Sequence, residues 1–394
     1  MKKRLLSFFV FALCTSLGAF ANDGFYYASG NVLFPLQETT ISVRSEVLTI
    51  SLCDDGYATV DVLYTFFNDG PAKTIDMAFE SPLPYNTGDE FSPVGKHPWI
   101  KNFTATLNGQ QLKCRSAVVV GSATDINNFR TFDPKKWHAS EFFNDAQSYI
   151  TNGREKLEVT AYGYLFKATF KQGLNTVHHS YRYHAAVGLS ANFEISYILQ
   201  PCTRWANHQV DDFTLRIATP STAKHFYVPD DVLRQTPFTV VSGTGKVRAG
   251  VIPSDSYVAT RHYQEISLRD GMVECHVKNF KPDADLDINS ADLLRSLLSC
   301  VEKPMKDMQA YYNRGWIAIP MVFADDDALL KRVFRNLPYA DRGYVFNDKQ
   351  LRRYFESEWW YMPDPSWKQS TEGFTQTDWR FINDLSKKGM SEYR

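Results

Sequence analysis

Apolar and polar residues alternate with a period of two through most of the span from Val32 to Val277. Leu48, Ile50 and Leu52 share one side of a predicted strand, and Val60, Val62, Tyr64 and Phe66 share one side of the next. Such alternation turns one face of a sheet to a core and the other to water, as half-exposed antiparallel sheets require. Asp54-Asp55-Gly56 and Asn68-Asp69-Gly70-Pro71 read as the intervening turns, and Ile75, Met77 and Phe79 follow. Asn108-Gly109, set between Phe103, Ala105, Leu107 and Leu112, Cys114, is the strongest hairpin signal, because both residues tolerate positive φ. The alternation resumes at Tyr164, Phe166, Ala168 and Phe170, then at Phe193 to Leu199 and Phe213 to Ile217. Shorter runs lie at Phe238–Val241, Val247–Val251, Tyr263–Leu268 and Val273–Val277. Many short strands with regular turns predict a mainly β, antiparallel sandwich-like body.

Three stretches depart from that period. Asp133-Pro134 has the form of a helix start, and Ala139, Phe142, Phe143, Ala146 and Ile150 keep helical spacing until Asn152-Gly153. One inserted helix over 133–152, capping an open end of the sheet, is therefore expected. Past Pro282, Leu293, Leu294, Leu297, Leu298 and Val301 stripe a second helix starting at Asn289 or Ser290 and interrupted by Pro304. This defines a β region over 22–282, a helical connector over 283–315 and a small α-helical C-terminal domain over 316–394. In that domain three aspartates open a helix carrying Leu329, Leu330, Val333 and Phe334, and Gly343 ends it in the left-handed conformation. Asn347 then caps a helix striped by Leu351, Tyr354 and Phe355, which Pro363 and Pro365 stop. The predicted core is Leu330, Phe334, Tyr339, Phe346, Phe355 and Trp360.

Arg335, Asn336, Tyr339, Ala340, Gly343, Phe346, Tyr354, Phe355, Trp360 and Tyr361 fall on the pattern of the YARHG module, which this stretch resembles. The Thr375–Leu385 segment is similar to that module's closing helix. The resemblance implies a small extracellular bacterial domain. Asp341 and Arg342 stand where the signature has Arg and His, and Pro338 replaces an apolar residue, so any role of the usual Arg and His does not transfer. The region 22–282 also resembles an uncharacterised family of secreted bacterial proteins, through Ser45–Ile50, the strand Val60–Asn68, and Tyr197-Ile198-Leu199 followed by Trp205. That likeness implies an exported β domain and supplies no activity.

Composition narrows the setting. Lys2, Lys3 and Arg4, the apolar run Leu5–Leu17 and Ala19-Phe20-Ala21 read as a signal peptide over 1–21, which predicts a periplasmic or extracellular protein. Lipid anchoring at Cys14 is disfavoured because Leu13 precedes it. No later segment has the ~20 apolar residues of a spanning helix. Without Lys2, Lys3 and Arg4 the formal charge of −1 falls to −4, no footprint for nucleic acid. Cys53, Cys114, Cys202, Cys275 and Cys300 are scattered. They allow up to two disulfides in an oxidising compartment, and buried free thiols are the alternative.

The chemical motifs are fragmentary. In His178–His184, neighbouring histidines face opposite sides of a strand and the ends lie about 20 Å apart at ~3.3 Å per residue, so the cluster is no metal site by itself. Asp283, Asp285 and Asp287 begin like a calcium loop, but Ile288 and Leu294 occupy the positions that require Gly and Glu. Ser242-Gly243-Thr244-Gly245-Lys246 lacks phosphate-loop spacing and reads as a hairpin turn. No catalytic, metal or cofactor-binding residue is singled out. The reading is a non-catalytic cell-envelope protein that binds a glycan, peptidoglycan or protein partner; the alternative is an envelope hydrolase of peptidoglycan or peptide with a site assembled in the β region. Trp359, Trp367, Arg342 and Asp341 are the candidate ligand contacts, since aromatic faces suit sugar rings and peptides.

Overall fold

The computed structural model describes residues 29–30, 32–36, 40–53, 55, 57–82, 100–120, 130–140, 147–159, 161–184, 186–187, 193–219, 222, 224–252, 261–291, 294 and 326–387. These form a mainly β body followed by a small helical unit. The first strands are β1 (Ser29–Gly30), β2 (Val32–Pro35), β3 (Ile41–Leu52), β4 (Tyr57–Asn68) and β5 (Lys73–Pro82). Next come β6 (Ile100–Leu107), β7 (Gln110–Gln111), β8 (Arg115–Val120), β9 (Arg130–Phe132), β10 (Trp137–Ser140), β11 (Gln147–Asn152) and β12 (Glu155–Glu158). The longer elements follow as β13 (Ala161–Phe170), β14 (Gly173–His184), β15 (Ala186–Val187), β16 (Phe193–Tyr197) and β17 (Val210–Thr219). The last are β18 (Lys224–Pro229), β19 (Thr239–Ile252), β20 (Arg261–Phe280) and β21 (Leu286–Ala291).

The large sheet runs β1-β16-β21-β18-β20-β17-β3-β4-β14-β6-β7, with β19 added on β20 and β15 on β16. A five-stranded sheet, β2-β5-β13-β8-β9, packs against it. The chain crosses between them at the turn after β4, where Asn68 Nδ2 donates to the Pro71 carbonyl (3.0 Å) and its Oδ1 accepts from Gly70 N (3.3 Å). Alternation decides the core: Val60, Val62, Tyr64 and Phe66 of β4 meet Ile75, Met77 and Phe79 of β5 and Phe166, Ala168 and Phe170 of β13. Trp205 fills the end of this layer, its ring 4.3 Å from Phe66 and 6.3 Å from Phe170. The Asn108-Gly109 hairpin forms as read, with φ of 51° and 79° closing Leu107 onto Gln110.

The inserted helix is overturned. Asp133 does start a turn, its carboxylate accepting from Lys135 N (2.9 Å), but the turn is a single 3-10 element at Pro134–Lys136. β10 and β11 then pair antiparallel and β12 completes a three-stranded sheet. Asn152-Gly153 begins a hairpin: Asn152 pairs with Glu155, and Gly153 takes φ +64° in the two-residue loop. Ile150 is buried against Val118, Val120, Val159 and Tyr162, so the partner that a helical stripe would have found is met by a strand. Phe142, Phe143 and Ala146 lie outside the described residues.

Two further expectations are corrected. Ser242–Lys246 makes no hairpin turn: it belongs to the continuous strand β19, which absorbs Gly243 through register shifts at Val240/Ser242 and Ser242/Thr244 and pairs Gly245 with Leu268. Gly243 sits at φ +73° so close to the opposite strand that a Cβ would fall 2.2 Å from the Asp270 carbonyl. The connector helix does not begin at Asn289 or Ser290, because both pair with β16 as part of β21 and the sheet continues past Pro282. Leu286 and Ile288 are buried on the inner face of that strand. Leu294 is helical and joins the C-terminal core; 295–325 lie outside the described residues.

Candidate functional site on the helical unit

The helical unit is built from three helices whose ends are set by side-chain caps. In α1 (Asp327–Asp341), Asp326 accepts from Ala328 N (2.9 Å), and Leu330, Val333, Phe334, Leu337 and Ala340 form the buried stripe. α2 (Lys349–Ser357) is capped by Asp348, not by Asn347; the Asp348 carboxylate accepts from Gln350 N (3.1 Å) and Leu351 N (2.9 Å) and pairs with Arg332 (2.8 Å). A charged acceptor reaching two free N–H groups outcompetes the neighbouring amide. α3 (Gln376–Asn383) begins with a capping box between Thr375 and Asp378. Leu330, Phe334, Phe346, Phe355 and Trp360 are all buried as expected, and Tyr339 is half-buried beside them.

Gly343 closes α1 in the predicted left-handed conformation at φ +87°. Its N–H bonds to the Ala340 carbonyl and the Tyr344 N–H to the Tyr339 carbonyl, both at 2.9 Å, the paired bonds of a Schellman motif. The turn also lies against the β body: a Cβ at Gly343 would come 2.5 Å from Arg269 Nη1 and 2.8 Å from the Met362 carbonyl.

Docking onto the large sheet uses consecutive backbone carbonyls. Lys246 on β19 donates to the carbonyls of Trp359 (3.3 Å) and Tyr361 (2.9 Å). From β20, Ser267 Oγ reaches the Trp360 carbonyl (3.4 Å) and Arg269 Nη2 the Met362 carbonyl (2.8 Å). Four successive acceptors are thus satisfied by side chains projecting from one face of two paired strands. This explains why Ser267 is buried although it alternates with the core residues Ile266 and Leu268.

Trp359, the first candidate contact, belongs to this docking face: Arg248 lies 4.4 Å and Lys246 5.9 Å from its ring centroid. Asp341 also faces the body, its carboxylate 3.8 Å from His225 Nε2. Arg342 points into the unit instead, gripping Asp378 through two 2.9 Å bonds and lying 4.3 Å over the Phe374 ring. It thereby ties the end of α1 to the start of α3. Trp367 stands on an outward strip of rings: Tyr344–Trp367 at 5.9 Å, Trp367–Tyr339 at 6.4 Å, Tyr339–Phe374 at 5.2 Å and Phe374–Trp379 at 5.5 Å. Trp379 is 41% exposed and the other four rings are half-buried. The structure brings Trp367 and Arg342 onto one strip and places Trp359 and Asp341 at the docking face. Tyr339, Tyr344, Phe374 and Trp379 complete the strip; their signal in the sequence was aromatic density without a periodicity to group it.

Three other groups with reactive chemistry, Ser267, Glu46 and His179, are buried. Ser267 Oγ is 2.9 Å from His225 Nδ1, and Asp341 approaches the far nitrogen, but Ser267 is fully buried beneath Trp360 and Met362. In the sandwich interior burial pushes the Glu46 carboxyl up to about 8, although a Tyr64 hydrogen bond acts the other way. Burial also pulls His179 down to about 3, so its imidazole stays neutral among the rings of Tyr64, Phe79, Phe103 and Tyr181. Among the described residues no group of three or more His, Cys, Asp or Glu side chains could hold a metal ion, and Cys53, Cys114, Cys202 and Cys275 are free thiols. No described helix is long and apolar enough to cross a membrane.

Over 90% of its length the chain superposes on 98% of a candidate nutrient-binding protein from Legionella pneumophila, at TM-score 0.52 and 19% identity, which establishes a shared fold. An M1 zinc metallopeptidase from Deinococcus radiodurans, 12% identical, overlaps 63% of this chain and 42% of its own at TM-score 0.24, too slight a likeness to carry an argument. No curated protein matches. Residues 21–161 match a domain of unknown function, DUF4424, and residues 324–387 match the YARHG domain. The helical unit that docks on the large sheet and carries the aromatic strip is a YARHG domain.

Proposed function

We propose that this chain is an exported, non-catalytic binding protein of the cell envelope, periplasmic or extracellular, and that the aromatic strip of its YARHG domain contacts an envelope glycan such as peptidoglycan. The observation that carries the reading is the run of five neighbouring rings ending at the exposed Trp379. Neighbouring rings cross at 59–77° and so form no single plane, but an exposed indole such as Trp379 offers a flat apolar face of the kind on which the C–H face of a sugar packs, and burying one aromatic supplies a large share of a binding energy. A binding role also suits the fold shared with a candidate nutrient-binding protein. The test is co-sedimentation and calorimetry of the full chain with purified peptidoglycan sacculi and soluble glycan fragments. Trp379→Ala should weaken binding at least tenfold with an unchanged melting temperature; undiminished binding refutes the assignment.

A further inference from the structure

We propose that Arg269, a residue of the β body, is a positioning residue for the aromatic strip, so that the sheet and the YARHG domain form one recognition unit. The inference rests on the strip being the ligand surface and adds a residue from outside the domain to it. Arg269 projects from β20 between two segments of the helical unit. Nη2 donates to the Met362 carbonyl at 2.8 Å, and Nη1 lies 3.7 Å from Asp364 Oδ2. The same guanidinium abuts Gly343, where a Cβ would meet Nη1 at 2.5 Å and Nη2 at 2.9 Å.

Both segments lead directly to rings of the strip. Gly343 precedes Tyr344, and its carbonyl accepts from Asp364 N at 2.8 Å, so the two segments are bonded to each other beside the guanidinium. Asp364 shapes the turn that presents Trp367: its Oδ1 accepts from Ser366 N (2.9 Å) and Ser366 Oγ (2.6 Å), and its carbonyl accepts from Trp367 N (3.1 Å). Tyr361, next to Met362, donates its hydroxyl to the Tyr344 carbonyl at 2.6 Å. With one nitrogen bonded to the Met362 carbonyl and the other facing the Asp364 carboxylate across 3.7 Å, the planar fork of the guanidinium sits between the segments that carry Tyr344 and Trp367. Its side chain is 11% exposed. A lysine keeps the charge and loses the fork, which makes Arg269→Lys the discriminating substitution.

The full chain is labelled with fluorotryptophan, and the wild type, Arg269→Lys and Arg269→Ala are compared by fluorine NMR, thermal unfolding and glycan binding. The Trp367 resonance, assigned by Trp367→Phe, should move or broaden in both variants while that of the buried Trp205 stays in place. Glycan affinity should fall at least fivefold in Arg269→Lys at an unchanged melting temperature. An unmoved Trp367 resonance in both variants overturns the inference, whatever the glycan result. If the wild type does not bind glycan at all, the ligand reading falls alone and the resonance still decides whether Arg269 sets the strip. Retained affinity in Arg269→Lys, alongside loss in Trp379→Ala, leaves the strip as the ligand surface and removes Arg269 from it.

Discussion

Replacing Glu46 with glutamine should remove a large part of the loss of stability between pH 5 and 8.5. Glu46 lies on β3, 2% exposed, with Tyr64, Tyr197 and Cys202 around it. Burial keeps its proton in place to about pH 8 in the folded chain, against an ordinary value of 4.5 once unfolded. Because the folded value is the higher one, the full stability is present below 4.5. It declines as pH rises and levels off above about 8, where the folded state also loses the proton. At 1.36 kcal/mol per pH unit, that interval is worth ~5 kcal/mol, of which ~4 kcal/mol falls between pH 5 and 8.5. Glutamine fills nearly the same volume and does not titrate. Urea unfolding at pH 5, 6, 7 and 8.5 should therefore give a wild-type curve that loses ~4 kcal/mol relative to the variant. Burial pushes Glu358 up to about 7, but it contributes equally to both chains and cancels in the difference. Parallel pH dependences would show that Glu46 is solvated or ionised in the fold and refute the argument.

Two other substitutions test separate parts of the structure. Gly343→Ala combines a positive φ with a Cβ 2.5 Å from Arg269 and 2.8 Å from the Met362 carbonyl, and should cost at least ~1–3 kcal/mol in denaturant unfolding; an unaffected variant would contradict the turn. His179→Phe removes two buried ring nitrogens that lack hydrogen-bond partners and keeps the aromatic packing with Tyr64 and Tyr181, so stability should hold or rise by about 1 kcal/mol; a loss beyond ~2 kcal/mol in the same assay would mean the imidazole makes a necessary bond.

Much of this architecture was legible locally. The inward faces of β3, β4, β5 and β13 follow from a period of two, because a strand can bury only alternate residues. Asn108-Gly109 and Gly343 follow from φ, which is a property of the residue itself. The YARHG pattern located the helical domain, and its match spans 324–387. The segment over 133–152 was misread for the converse reason. Spacing of i, i+3, i+4 identifies a stripe only if the backbone is helical, and here Trp137–Ser140 and Gln147–Asn152 gain their hydrogen bonds from one another and from β12. Long strands were likewise broken into short ones at Ser242–Lys246, where bulges carry the chain through residues that locally signal a turn.

The candidate site divides along the same line. Aromatic residues of the C-terminal stretch could be named from their chemistry, since Trp359 and Trp367 look alike in a sequence. Which of them faces outward depends on the docking of Trp359–Met362 carbonyls onto Lys246, Ser267 and Arg269, residues 90 or more positions away. On β20, Glu265, Ser267 and Arg269 have the spacing of a solvent face, and the helical domain lies against Ser267 and Arg269. Strand period is a property of a few neighbouring residues and can be read from them. Burial of a polar face, and the choice of which ring is left exposed, are properties of two distant segments in contact, and only the folded chain brings those together.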